Sequence, residues 1–231
     1  MRGRPESASC ADFAKDSRVI DLTARLIGIG RAKFGTYVWQ RTDDPYVVFV
    51  AEYFLRRSNR TTVQRFLPSF IQRFPDAVSL ANAEPQAVAE VARWAGMRSR
   101  TMSLPCAIAA FAHLAQPTVE ALEQIAHVGP YAARAVALYA YGQPVFPVDG
   151  NVSRVLMRFL CLTGSEEVRL TANAVVEAAR KLDSPNAVKH AHFGALTAGW
   201  MTCRVQRRCG VCPLSSACLC ALVAEPPGGH A

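Results

Sequence analysis

Apolar residues recur at helical spacing along almost the whole chain, and prolines and glycines interrupt that pattern at short intervals. This pairing limits the fold more than any other feature, because a period near 3.6 cannot be satisfied by a half-buried strand. Residues 47–55 (VVFVAEYFL) look at first like a buried strand. The apolar pattern runs on through Val63, Phe66, Leu67, Phe70 and Phe74 without a turn signal, so the segment reads as two helices joined near Ser58–Thr61. Further helices are expected at about 18–34, 76–82, 84–95, 98–115, 118–126, 131–141, 151–162, 169–183 and 187–199. Pro75, Pro85, Gly96, Pro117, Gly129, Gly142, Pro147, Gly150, Gly164 and Pro185 separate them. No hairpin alternation, internal repeat or low-complexity run stands out, and the tail from Pro226 is expected to fray. The reading is all-α.

Composition narrows the partner. With 51% hydrophobic residues among 231, the chain has the means to build a core, which excludes a disordered basic spacer. Its 26 Lys and Arg against 18 Asp and Glu leave a formal charge of +8. A folded body with a basic surface points to a polyanion, nucleic acid first, or to a basic protein with no such partner. No stretch reaches the roughly 18 apolar residues that span a bilayer, and the N-terminus lacks the apolar region of a secretory signal. The expectation is a cytoplasmic, nucleoid-associated protein without membrane contact.

Cysteine is unevenly spread. Cys10, Cys106 and Cys161 are scattered, whereas Cys203, Cys209, Cys212, Cys218 and Cys220 crowd near the C-terminus. The spacing Cys203-x5-Cys209-x2-Cys212-x5-Cys218 puts four thiols within sixteen residues. Such a group holds a [4Fe–4S] cube or one Zn²⁺; free buried cysteines are the third reading. Arg204, Arg207 and Arg208 lie in the same loop, either as a solvated charge run or as a phosphate clamp.

Two central segments carry candidate chemistry. In Ile125-Ala126-His127-Val128-Gly129-Pro130-Tyr131 a short helix ends, turns, and gives way to a helix rich in small residues. Gly129 is expected to supply the close approach or positive φ of the turn, and the amides opening the new helix suit a phosphate. The same residues also make an ordinary αα-hairpin. Eighteen positions after Tyr131, Asp149 precedes an amphipathic helix marked by Val152, Val155, Leu156, Phe159 and Leu160. An Asp there is an N-cap, or a carboxylate kept ionised by the helix dipole and able to stabilise a cationic sugar.

Together these residues resemble the helix-hairpin-helix, Gly-Pro-Asp glycosylase superfamily, over about residues 38–218. Ile125–Ala133 matches its hairpin, with His127 in place of the first hairpin glycine, and Asp149 falls where its aspartate does. Gly150-Asn151-Val152-x-Arg154-Val155 is similar to the adenine glycosylase (MutY) branch. Leu55-Arg56-Arg57-Ser58 is similar to the thymine mismatch (Mig) branch. Ala95-Gly96-Met97-Arg98-Ser99-Arg100 matches a Gly-x-x-x-[Arg/Lys]-Ala segment. The family's cysteine pattern is Cys-x6-Cys-x2-Cys-x5-Cys, one residue longer in its first gap.

The resemblance implies a two-lobed fold. A six-helix lobe at 38–145 would carry the hairpin, and residues 1–37 and 146–231 would form the cluster lobe. It implies a [4Fe–4S] cluster on Cys203, Cys209, Cys212 and Cys218, with Cys220 matching the pattern less well. It implies a monomer acting on double-stranded DNA that contains a mismatch or lesion, with the base flipped out between Glu52 and Asp149. Asp149, with Asn151 beside it, would stabilise the sugar cation. Glu52, in an apolar stretch, would be kept protonated by burial and serve the leaving base. Tyr131 stands where bifunctional members carry lysine, so no Schiff base forms and an abasic site remains. Val128, Gly129, Arg56, Arg57, Arg204, Arg207 and Arg208 would contact DNA. The base would be T or U opposite G; the alternative is adenine opposite G or 8-oxoguanine. The adenine branch normally carries a further C-terminal domain, whereas this chain ends thirteen residues after Cys218. A non-catalytic DNA-binding module is the reading of another class.

Overall fold

A computed structural model describes residues 17–95, 98–182 and 186–223, the Trp94 side chain excepted. Cys10, Gly96, Met97, Pro185 and the tail from Pro226, all used in the sequence reading, lie outside the described residues. The described residues form helices α1 (Ser17–Lys33), α2 (Pro45–Leu55), α3 (Arg60–Arg73), α4 (Ala77–Ala81), α5 (Pro85–Val91), α6 (Arg98–Met102), α7 (Leu104–Ala112), α8 (Val119–Glu123), α9 (Pro130–Tyr141), α10 (Gly150–Leu160), α11 (Ser165–Arg180), α12 (Ala187–Met201) and α13 (Leu219–Val223). No strand occurs among them, and none of these helices is long and apolar enough to cross a membrane.

The chain divides into two units, one of residues 35–143 and one of 1–34 with 144–231. In the first, α2 is apolar nearly all round and is buried from Val48 to Phe54, Glu52 included. Phe54 meets Phe66 edge-on at 4.9 Å, Phe70 follows at 5.6 Å, and Phe49 stacks on Phe111 at 4.3 Å. Helix starts are set by side-chain caps: Asp44, Asn59, Asp76 and Thr118 each accept from a backbone N–H of the helix that follows.

The helix expected over 98–115 is two helices, α6 and α7. Pro105 lies in the first turn of α7; inside one long helix it would remove an amide donor and clash with the preceding turn. The 35–143 unit contains eight α-helical segments among the described residues, several only five residues long, where the resemblance implies six.

In the second unit, α1 and α12 pack backbone to backbone through reciprocal glycines. A Cβ on Gly30 would lie 1.9 Å from the carbonyl oxygen of His190, and one on Gly194 would lie 1.9 Å from that of Leu26. Only hydrogen fits at either position. Gly199 does the same for α10, since a Cβ there would come within 2.8 Å of the Asn151 Cβ. Helix α11 begins earlier than its apolar pattern indicates. Glu167 reaches back to accept from the amides of Thr163 and Gly164 and so stabilises an added first turn.

Candidate functional site

In the 35–143 unit the hairpin joins α8 to α9. Its left-handed residue is His127 (φ 66°), not Gly129, which is extended (φ −95°, ψ 176°) and caps α9. The residue that stands in for the first hairpin glycine thus adopts the conformation glycine would take freely. At Gly129 a Cβ would meet the Arg56 guanidinium at 3.4 Å, an ordinary contact with a flexible side chain, so neither positive φ nor close approach requires glycine there.

Two arginines hold the turn. Arg56 Nη1 and Arg100 Nη2 both donate to the His127 carbonyl, at 3.2 and 2.9 Å. Arg100 is 7% exposed, lies 4.5 Å from the Tyr53 ring centroid, and accepts at its own carbonyl from the Tyr53 hydroxyl. Burial lowers its pKa, partly offset by Tyr53. The His127 ring meets Tyr53 edge-on at 6.5 Å. A buried cation on a ring and a shared carbonyl therefore fix the turn that opens α9.

The other predicted residues of this unit are placed as follows. Glu52 is 4% exposed on α2. Burial lifts the pKa of the neighbouring Tyr139 on α9. Tyr131 is half-buried in the first turn of α9. Arg57 is exposed. Val128 points inward, and its amide is spent on the Ile125 carbonyl at 3.0 Å, so it offers neither side chain nor N–H to a ligand.

In the second unit Asp149 caps α10. Its Oδ1 accepts from the amides of Asn151 (2.9 Å) and Val152 (2.8 Å), and its Oδ2 from the Asn151 side-chain amide (2.7 Å). The carboxylate is thereby both cap and oriented anion. Beneath its approach segment, His192 is fully buried, meets Phe146 edge-on at 5.3 Å and donates to the Pro147 carbonyl. Burial drives its pKa down to about 3.

Asn151 passes the connection on. Its Oδ1 accepts from Arg154 Nη2 at 2.8 Å, while Arg154 Nε donates to the Cys203 carbonyl at 2.6 Å. One turn along, Arg158 donates to the carbonyls of Arg204 and Val205 and stands 3.6 Å from the Cys203 Sγ. Arg158 escaped the sequence reading, although its i,i+4 spacing from Arg154 puts both on one face of α10.

Cys203, Cys209, Cys212, Cys218 and Cys220 all line one cavity of about 30 Å³, and none is in a disulfide. No three His, Cys, Asp or Glu side chains among the described residues converge as a single metal ion requires. Free thiols lining a common space are donors of the kind that an iron–sulfur cube takes, one thiolate at each of four corners. Burial raises the thiol pKa of Cys203 and of Cys218. Of the loop arginines, all exposed, Arg204 donates to the Trp200 carbonyl and Arg207 Nη1 lies 3.1 Å from the Cys220 Sγ.

No family model matches the chain. It is 27% identical over 189 residues to the thymine-DNA glycosylase of Aeropyrum pernix, covering 78% of this chain and 85% of that protein. It is 33% identical over 182 residues to the adenine DNA glycosylase of Schizosaccharomyces pombe, covering 75% of this chain but 39% of that protein. Among solved structures, a thermostable thymine-DNA glycosylase superposes with a TM-score of 0.76 at 20% identity, over 90% of this chain and 99% of that one. Endonuclease III in a non-covalent DNA complex gives 0.69 at 16% identity, over 88% and 96%. The all-α fold with its hairpin is therefore the fold of those glycosylase and endonuclease structures. Over about three quarters of its length the chain is similar to both thymine and adenine glycosylases.

Proposed function

We propose that the chain is a monofunctional DNA glycosylase that removes T or U opposite G by hydrolysing the N-glycosidic bond. The observation that carries this reading is Asp149, whose carboxylate is fixed by three donors at the N-terminus of α10. Excision builds positive charge on the sugar, and an anion held rigid in advance stabilises that charge without reorganising. Glu52, buried among apolar side chains, serves the departing base as acid or hydrogen-bond donor. Tyr131 has no amine, so no Schiff base forms and the product is an abasic site. The hairpin at Gly129 and the arginines Arg56, Arg57, Arg204, Arg207 and Arg208 serve the phosphates of a duplex bound by a monomer, within the cytoplasm.

Cys203, Cys209, Cys212 and Cys218 would hold a [4Fe–4S] cluster. When bound, it cross-links a loop that has little other regular structure and so sets the direction of its arginines.

Leu55-Arg56-Arg57-Ser58 and the thymine/uracil-DNA glycosylase of Pyrobaculum aerophilum, 27% identical over 192 residues, support the pyrimidine substrate. A second reading, adenine opposite G or 8-oxoguanine, is favoured by Asp149-Gly150-Asn151 and by the Schizosaccharomyces pombe relative. Single-turnover nicking of G·T, G·U, A·G and A·8-oxoguanine duplexes, with and without alkali, tests both. Alkali-dependent cutting at T or U opposite G is expected. Cutting only at adenine selects the second reading, cutting without alkali overturns the monofunctional assignment, and no cutting of any duplex leaves a DNA-binding module.

A further inference from the structure

The thiol cavity holds one cysteine more than a cube has corners. Cys220 lines it together with Cys203, Cys209, Cys212 and Cys218. It stands two residues beyond Cys218, within α13. Its Sγ lies 3.1 Å from Arg207 Nη1, so a cation holds the sulfur at the cavity rather than leaving it to solvent. Cys218 is anchored differently: its thiol donates to the Arg158 carbonyl at 3.3 Å, which ties it to α10.

We propose that Cys220 is a resident spare ligand for the iron–sulfur cluster, able to take the corner that Cys218 occupies. The proposal rests on the cluster reading above. The exchange is substitution without redox change. The iron–sulfur bond to Cys218 breaks and its departing thiolate takes a proton from water, while the Cys220 thiol gives its proton to water and its sulfur bonds the same iron. Arg207 gives up its contact and remains the neighbouring positive charge. The short helix α13 carries Cys220 only two residues along the chain from the ligand it replaces.

The test compares the whole wild-type chain with Cys218→Ala, Cys220→Ala, the Cys218→Ala/Cys220→Ala double variant and Cys212→Ala, all purified anaerobically. Alanine is used because serine could itself bind iron. Iron and sulfide content, visible absorption and far-UV circular dichroism are measured. Cys218→Ala and Cys220→Ala are each expected to keep iron and absorption near the wild-type level, whereas the double variant and Cys212→Ala lose most of both. Equal loss in Cys218→Ala and Cys212→Ala overturns the proposal. A wild-type protein without iron overturns the cluster reading instead, so the two failures are distinguishable.

Thiol alkylation with peptide mapping gives a second readout on folded, loaded protein. Cys220 is expected to be labelled in the wild type and protected in Cys218→Ala. Labelling in both, or protection of Cys220 in the wild type, overturns its role as the spare.

Discussion

Nε of Arg154 donates to the carbonyl oxygen of Cys203 at 2.6 Å. The same guanidinium reaches Asn151, which bonds the Asp149 carboxylate, so one side chain ties the proposed catalytic anion to the first cysteine of the thiol ring. Arg154→Met removes both ends of that tie. Stability is expected to fall by about 1.5–3 kcal/mol, the range for hydrogen bonds to a charged group, read by denaturant melts. Excision is expected to slow by about 10–100-fold while the iron content stays, as for an outer-shell partner of a site. An unchanged rate would show that Asn151 orients Asp149 without Arg154.

Asp149 has two roles that substitution separates. Asp149→Asn keeps a side-chain oxygen to cap α10, so the melting temperature should scarcely move and duplex binding should persist. Removing the anion is expected to slow excision by at least about 10²-fold. Asp149→Ala removes the cap as well and should cost a further 0.5–2 kcal/mol or about that. If the Asn variant keeps both stability and full activity while the Ala variant loses stability, Asp149 is a cap and nothing more.

His127 occupies a left-handed turn that a β-branched residue enters poorly. His127→Val is expected to be about 1–2 kcal/mol less stable than His127→Gly, from the backbone alone. Thermal melts of the pair check this. Because Arg56 and Arg100 bond the His127 backbone rather than its ring, His127→Gly should retain duplex affinity.

His192 sets a pH dependence whose sign is fixed by its direction of shift. Its folded pKa is about 3 against an ordinary 6.5, so the unfolded chain binds the extra proton first. Its contribution to stability is complete above about pH 6.5 and is lost as the pH falls toward about 3, at no more than about 1.4 kcal/mol per pH unit. His192→Gln cannot take that proton. The difference in unfolding free energy between wild type and variant should therefore narrow as the pH is lowered through this window, and a constant difference would show that the imidazole is already charged in the folded protein.

The helical class was legible from spacing alone, because burial of one face imposes a period that survives in the sequence whatever the topology. Asp149 was legible too, as a polar residue immediately before an amphipathic run, and the cysteines by their spacing. The left-handed residue was not: Gly129 invites it, yet His127 takes it, because two arginines from α2–α3 and α6 reach the His127 carbonyl and favour the strained turn. The break at Ser103, ahead of Pro105, was not legible because the apolar pattern runs through it.

Local chemistry, periodicity, caps and ligand spacing are short-range properties, and the sequence by itself determined them: an all-α chain, a hairpin, an aspartate at a helix start and a thiol quartet. Tertiary structure decided what depends on residues distant in the chain. It brought Arg100 under the hairpin, set Gly30 and Gly194 against facing carbonyls, joined Asp149 to Cys203 through Arg154, and drew Cys220 into the cavity as a fifth thiol. Such contacts arise only when packed helices present their faces to one another, and no spacing along the chain encodes which faces meet.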